Sequence, residues 1–104
     1  MPPYLILKAA GFRLDGIYRY TLDQWGKPQA DKYIHGLFQH FANIAEEKAT
    51  SRPIPAEFGV DGYVSSYKKH FVYWKTLSTG QIGIVTVLHH RMHQIERFKD
   101  DFVL

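Results

Sequence analysis

The densest group of residues able to do chemistry is one short segment, His89-His90-Arg91-Met92-His93. It follows an apolar run, where a strand end would hold its side chains towards solvent. Three histidines in five residues would suit a metal ion or, because imidazole titrates near neutral pH, general acid–base catalysis. However, neighbouring side chains of a strand point to opposite faces, and the sequence has neither HExxH spacing nor cysteine. We therefore expect no metal site and no cofactor.

The sequence lacks the other motifs that catalysis by the same segment would need. No nucleophile motif, glycine-rich phosphate loop or pair of carboxylates accompanies the histidines, so we predict no catalytic residues. His70 begins the run His-Phe-Val-Tyr-Trp and is expected to be hydrogen-bonded at the sheet margin. Tyr73 and Trp74 should lie on opposite faces of this strand, and only one of them should enter the core. Trp25 is expected to cover the junction of two helices.

Positive charge is concentrated in one part of the chain, although the net charge is only +3. Residues 1–66 hold seven Lys/Arg and seven Asp/Glu, whereas residues 67–99 hold six Lys/Arg, one Glu and four of the six histidines. This basic third could meet an acidic partner or phosphate, or could simply be a solvated face. No arginine-rich tract supports sequence-specific nucleic-acid binding, and we expect none.

The elements that must position these residues follow from hydrophobic periodicity. The sequence predicts strands at 4–8, 63–67, 70–76 and 81–88, helices at 12–25 and 28–45, and a loop at 49–62. The two helices are separated by Gly26 and the residues around it, so they should form an antiparallel hairpin. The fold class is therefore α+β: an N-terminal strand and a helical hairpin packed on a mainly antiparallel sheet of three to four strands.

Length and composition limit the class of protein. The 104 residues fit one domain over residues 1–104, and 45% apolar with 22% charged residues are globular values. Without cysteine there is no disulfide framework. No apolar run reaches the ~18 residues of a membrane span, and the N-terminal segment lacks a basic region before its apolar stretch. We expect a cytoplasmic protein without a membrane partner.

The aromatic content predicts a partner surface. The stripe of Tyr33, Leu37, Phe41 and Ile44 is core by default, but two helices and a small sheet cannot easily cover 16 aromatic residues. Part of this surface is therefore expected to accept an amphipathic helix or an added strand from another protein.

Three segments, in order and with the right spacing, resemble the ParE toxins of the RelE/ParE superfamily. The stretch Trp25-Gly-Lys-Pro-Gln-Ala-Asp-Lys-Tyr33 is similar to the family's helical hairpin. Gly62-Tyr63 followed by His70-Phe-Val-Tyr73 resembles its middle strands, and Val87-Leu-His-His-Arg-Met92 resembles its closing motif. The chain departs from the usual pattern at Val64, commonly arginine, and at His93, commonly aspartate.

The resemblance implies a toxin of a type II toxin–antitoxin system. Such a toxin inhibits or poisons DNA gyrase, is neutralised by a ParD-type antitoxin and is not regarded as an enzyme. The gyrase-contact candidates lie near the closing motif: His89, His90, Arg91, Met92, His93 and Arg97. The antitoxin-contact candidates are Tyr33, Leu37, Phe41, His70, Tyr73 and Trp74.

The alternative is the RelE branch of the superfamily, whose members cut messenger RNA on the ribosome. Those toxins use basic residues and usually a C-terminal tyrosine, whereas this chain has no tyrosine after Tyr73. His89, Arg91, His93 and Lys99 could in principle supply the base, acid and cations around a scissile phosphate. The ribonuclease reading therefore stays open beside the gyrase reading.

Overall fold

A computed structural model describes residues 3–101. Along the chain it contains a strand and two long helices, then four further strands and a short helix. Their bounds are β1 Tyr4–Ile6, α1 Lys8–Trp25, α2 Lys27–Ala45, β2 Arg52–Pro53, β3 Tyr63–Tyr67, β4 His70–Thr76, β5 Ile82–His89 and α3 Gln94–Asp101. A single 3-10 turn, Ala56–Phe58, lies between β2 and β3.

The helical hairpin forms as the periodicity predicts. Gly26 alone separates α1 from α2, with a φ of 86° that favours glycine. The second residue of α2 is a proline, which suits the first turn of a helix. Leu14 and Tyr18 of α1 line the same groove as Ile34 and Phe38 of α2. The helix α1 begins four residues before the predicted start, at Lys8.

The sheet has one strand more than the sequence predicted. Its order is β1-β5-β4-β3-β2, in which β1 is parallel to β5 and the other pairs are antiparallel. The additional strand, β2, lies inside the predicted 49–62 loop and pairs Arg52 with Val64 and Pro53 with Tyr63. The segment contains two prolines and two glycines and shows no hydrophobic periodicity, so no strand was predicted there. Proline is tolerated in β2 because this strand lies at the edge of the sheet. The α+β class and the helical hairpin on a mainly antiparallel sheet are confirmed.

The two faces of the sheet carry separate cores. The helical hairpin covers one face, whose core residues are Ala10, Leu14, Leu37, Phe41, Ile44, Val72, Ile84 and Val87. The other face packs against the 3-10 turn and α3, with core residues Ile54, Phe58, Val64, Tyr73, Val85, Leu88 and Phe98. Tyr73 and Trp74 lie on opposite faces as predicted, since Trp74 packs against the hairpin-side core.

The C-terminal helix α3 was not predicted. Phe98 is buried in the second core, and Ile95 packs against the same cluster. The carboxylate of Asp101 receives two hydrogen bonds from Arg13 of α1, at 2.7 and 3.0 Å, and one from the buried Thr86 hydroxyl at 2.7 Å.

The structure also corrects the expectation for Trp25, which is 70% exposed and does not cover the helix junction. None of the described helices has a stretch long and apolar enough to cross a bilayer.

Candidate functional site

The basic residues predicted from the sequence meet at one end of the sheet. The turn Lys68-Lys69 joins β3 to β4 beside the end of β5, and the His90 N–H donates to the Lys69 carbonyl at 2.8 Å. We call Lys68, Lys69, His89, His90 and Arg91 the cationic corner. Lys68 has a φ of 49°, a left-handed conformation that a tight two-residue hairpin turn requires. Lys68 therefore holds a backbone conformation that residues with a side chain adopt uncommonly.

His89 and His90 point to opposite sides of the sheet. The His89 ring lies on the hairpin side, in edge-to-face contact with the ring of its partner His70, with centroids 5.1 Å apart. The His90 ring packs on the second face against Phe71, with centroids 4.1 Å apart. The Arg91 N–H donates to His89 Nδ1 at 3.0 Å, which orients this ring. The two neighbouring histidines therefore act on different surfaces.

A tyrosine–histidine pair lies beneath the cationic corner. Tyr33 Oη of α2 lies 2.7 Å from His70 Nδ1, and the Lys69 backbone N–H bonds to the same hydroxyl. Burial, with the nearby His89 and His90, lowers the pKa of His70 to about 4. Burial raises the pKa of Tyr33, so neither side chain is suited to proton transfer near neutral pH.

The hairpin side of the corner has neighbours, Tyr67, His40 and Ser65, that the sequence did not single out. The Lys68 ammonium lies 5.7 Å from the Tyr33 ring centre and 5.5 Å from that of Tyr67. His40 Nε2 lies 2.9 Å from the Ser65 hydroxyl, and burial lowers the pKa of this histidine. The signal for this arrangement was Gly36 in α2, where any Cβ would collide with the Tyr67 hydroxyl. A helix glycine with no turn to make indicates a close neighbour.

The remaining gyrase-contact candidates lie beyond the corner, at the start of α3. Met92, His93 and Arg97 are all exposed. Gln94 holds the connecting turn, because its side-chain amide donates to the carbonyls of His89 and Met92 at 2.8 and 2.9 Å. Its amide oxygen accepts from the Tyr73 hydroxyl at 2.8 Å. The structure thus brings five candidates to the surface and leaves His89 half-buried.

The antitoxin-contact candidates are split by burial. Leu37 and Phe41 are completely buried in the hairpin-side core, so neither has surface to offer a partner, and we leave both out of the proposed contact surface. His70 and Tyr73 are almost completely buried as well. Tyr33 and Trp74 keep partial exposure.

Trp74 belongs to an aromatic pair at the β3–β4 ladder. Its ring stacks on Tyr63, directly opposite in the ladder, with centroids 4.5 Å apart and planes 22° apart. Its Nε1 donates to the Ser51 hydroxyl at 3.0 Å. Tyr63 is 41% exposed, and we add it to the surface available to a partner.

Among the side chains that the structure describes, no group of three or more histidine and carboxylate residues is placed to hold a metal ion. What the corner offers is a fixed array of positive charge and aromatic rings, which suits binding to an acidic surface.

Comparison with known proteins decides the family. Residues 4–94 match the family described as "ParE toxin of type II toxin-antitoxin system, parDE". The chain belongs to the ParE toxin family. It is 33% identical over 94 residues to "Toxin ParE1" of Mycobacterium tuberculosis, an alignment covering 86% of this chain and 90% of the relative. It is 28% identical over 100 residues to "Toxin ParE" of Escherichia coli, covering 96% of each protein.

The structure gives a physical reason for one residue of the ParE resemblance. Gly62 has a φ of 153°, and a Cβ there would lie 2.9 Å from both the Trp74 carbonyl oxygen and the Ile54 side chain. Only glycine fits where the chain enters β3 against these two neighbours. In this ParE toxin the glycine therefore lets the chain enter β3 close to Ile54 and Trp74.

Proposed function

We propose that this ParE toxin acts in the cytoplasm by binding DNA gyrase and stopping its supercoiling activity, and that a ParD-type antitoxin neutralises it. The observation that carries the proposal is the family match over residues 4–94. In this proposal the toxin acts by binding, and the shifted pKa values of Tyr33 and His70 support it in so far as they make this pair unsuited to proton transfer near neutral pH.

The gyrase-binding surface consists of the exposed residues that follow β5. Arg91 and Arg97 provide charge, His90 and His93 provide polar rings, and Met92 provides an adaptable apolar contact. Lys68 and Lys69 extend this surface across the β3–β4 turn. A patch with this surplus of cations steers an acidic protein surface towards it.

The antitoxin covers the hairpin side of the β3–β4 ladder, from Tyr33 at the cationic corner to Trp74 and Tyr63, which pair four residues further along the ladder. Tyr33 beside Lys68, and Trp74 stacked on Tyr63, are the exposed aromatic contacts of this surface. His70 packs beside Tyr33 and would contact the antitoxin only at its edge, whereas Tyr73 is buried on the opposite face of the sheet and is left out of this surface. An amphipathic antitoxin segment with acidic residues fits, since the Lys68 ammonium lies beside the Tyr33 ring.

One observation favours the ribonuclease alternative. His70 and His89 are in ring contact beside two lysines and an arginine, the residue types that surround a scissile phosphate. Against it, burial lowers the pKa of both histidines, and the pKa of His70 falls to about 4, so His70 does not carry the proton that a general acid needs near pH 7.

A supercoiling assay with purified gyrase and relaxed plasmid tests the proposal. We expect excess toxin to abolish supercoiling, the antitoxin to restore it, and Arg91→Ala to require at least about tenfold more protein for the same effect. The melting temperature of Arg91→Ala should stay unchanged, because the side chain is exposed. Lys32→Ala, which removes an exposed cation of α2, is the control and should inhibit like the unchanged toxin.

Two results would reject the gyrase proposal. The first is full supercoiling with excess folded toxin. The second is cleavage of ribosome-bound messenger RNA by the same preparation, which would support the ribonuclease alternative instead.

A further inference from the structure

The outward face of α1 carries large aromatic side chains that the fold does not use. Phe12 is 72% exposed and Tyr20 is 65% exposed, while α1 turns Ala10, Leu14 and Thr21 towards the interior. Phe12, Gly16 and Tyr20 are spaced by four residues and therefore lie along one side of the helix. An isolated exposed aromatic is ordinary, but two in line on the outside of a helix form an apolar strip.

The charges around this strip are balanced. Lys8 and Arg19 are matched by Asp15 and Asp23 on the same outward side, and all four are exposed. A strip without net charge has no attraction for a polyanion, so its partner differs in chemistry from that of the cationic corner. Along α1 the exposed charges alternate in the order Lys8, Asp15, Arg19, Asp23. A complementary surface must place an anion opposite each cation, which the same sequence of charges does when it runs in the reverse direction.

A second copy of this chain presents that reversed order. We propose that two copies associate through antiparallel packing of their α1 helices about a two-fold axis near Gly16. Lys8 of each copy then faces Asp23 of the other, at both ends of a contact about 22 Å long. In the same register Phe12 of each copy lies against Arg19 and Tyr20 of the other, which allows cation–π and aromatic contacts. Such an interface is isologous, as in most homodimers.

Gly16 independently points to a close neighbour outside the described chain. A Cβ built at Gly16 meets nothing within 4 Å, so the packing of the single chain does not require glycine there. Glycine inside a helix is less stable than alanine. Since no contact within the chain requires glycine at position 16, its lack of a side chain is suited to the close approach of another helix. In the proposed dimer the two Gly16 residues lie at the crossing point.

Charge reversal tests the dimer by sedimentation equilibrium of the purified chain. We expect the unchanged chain to dimerise, and Lys8→Asp or Asp23→Lys to weaken the dimer at least about tenfold, because each creates two like-charge contacts. An equimolar mixture of the two variants should dimerise again, since both cross-pairs are then of opposite charge. Lys32→Asp makes the same change of charge on α2 and should leave dimerisation unaffected.

The mixture separates the proposal from a folding defect, because a misfolded variant would not be rescued by its partner. Phe12→Glu should give a monomer with an unchanged helical circular dichroism spectrum. A monomeric unchanged chain, a dimer indifferent to Lys8→Asp, or a mixture that stays monomeric would each overturn the proposal. The assay needs neither gyrase nor antitoxin, so its outcome is independent of the proposed function.

Discussion

The ring of His70 is enclosed between α2 and the end of β5, and its pKa of about 4 lies well below the ordinary value. As the pH falls, His70 is therefore protonated at about pH 6.5 in the unfolded chain but only at about pH 4 in the folded chain. The contribution of His70 to the free energy of unfolding is fully present well above pH 6.5 and is lost progressively as the pH falls towards 4. The pKa values of His40 and His89 are lowered too, so both add to the loss with the same sign.

We expect the free energy of unfolding to fall between pH 7.5 and pH 5, with the lowered pKa of His70 contributing on the order of 1–2 kcal/mol. In His70→Gln the fall should be smaller, since glutamine does not titrate. Urea denaturation at the two pH values measures this. His35→Gln, which replaces an exposed histidine of α2, should keep the original pH dependence, and equal slopes for all three proteins would contradict the assignment.

At the scale of elements, two glycines inside helices have opposite environments. Gly16 faces open space, whereas a Cβ at Gly36 would collide with the Tyr67 hydroxyl. Alanine at position 16 should stabilise the fold by about 1 kcal/mol in dilute, monomeric protein, because alanine favours the helix. Alanine at position 36 should destabilise it by about 2 kcal/mol, since the packed tyrosine must move. Thermal denaturation of the two variants measures both changes in stability. An increased melting temperature of Gly36→Ala would contradict the packing of Tyr67 against this position.

The elements also show what a sequence can predict. The two long helices and the three long strands were predictable because each repeats its apolar residues over several turns or alternations. The helix α3 was not, because it offers only Ile95 and Phe98 to the core and is otherwise polar. The two-residue β2 exists only through its pairing with β3.

The site shows the same limit. The sequence placed the basic residues at a strand end, and the structure brings them together there. The Tyr33–His70 pair joins residues 37 positions apart, a contact that no local pattern encodes. Burial removed Leu37 and Phe41 from the partner surface because helical periodicity marks apolar residues without showing which of them remain accessible. The assignment of residues 1–104 to one domain stays a prediction.

At the scale of the whole molecule, one carboxylate joins three elements. Asp101 of α3 bonds to Arg13 of α1 and to Thr86 of β5, and both side chains of the ion pair are mostly buried. Asp101→Asn should lower the free energy of unfolding by about 2 kcal/mol, because it leaves the Arg13 charge partly buried without its counter-charge.

Urea denaturation measures the change, and Glu46→Gln, in an exposed ion pair with Lys48, is the control and should leave stability unchanged. Equal effects of the two substitutions would show that Asp101 is only a surface partner. Adding Arg13→Met to Asp101→Asn should recover part of the loss, because the buried charge is then removed.

The parallel pairing of β1 with β5 has a consequence for the synthesis of the toxin. Tyr4 lies beside Ile82, and Ile6 beside Ile84, so the first strand finds its neighbour only after about eighty further residues have been made. During synthesis β1 therefore stays unpaired until β5 has emerged, and Arg13 lacks its carboxylate partner until Asp101 follows. The helical hairpin can form early from neighbouring residues, whereas the parallel edge of the sheet is completed late.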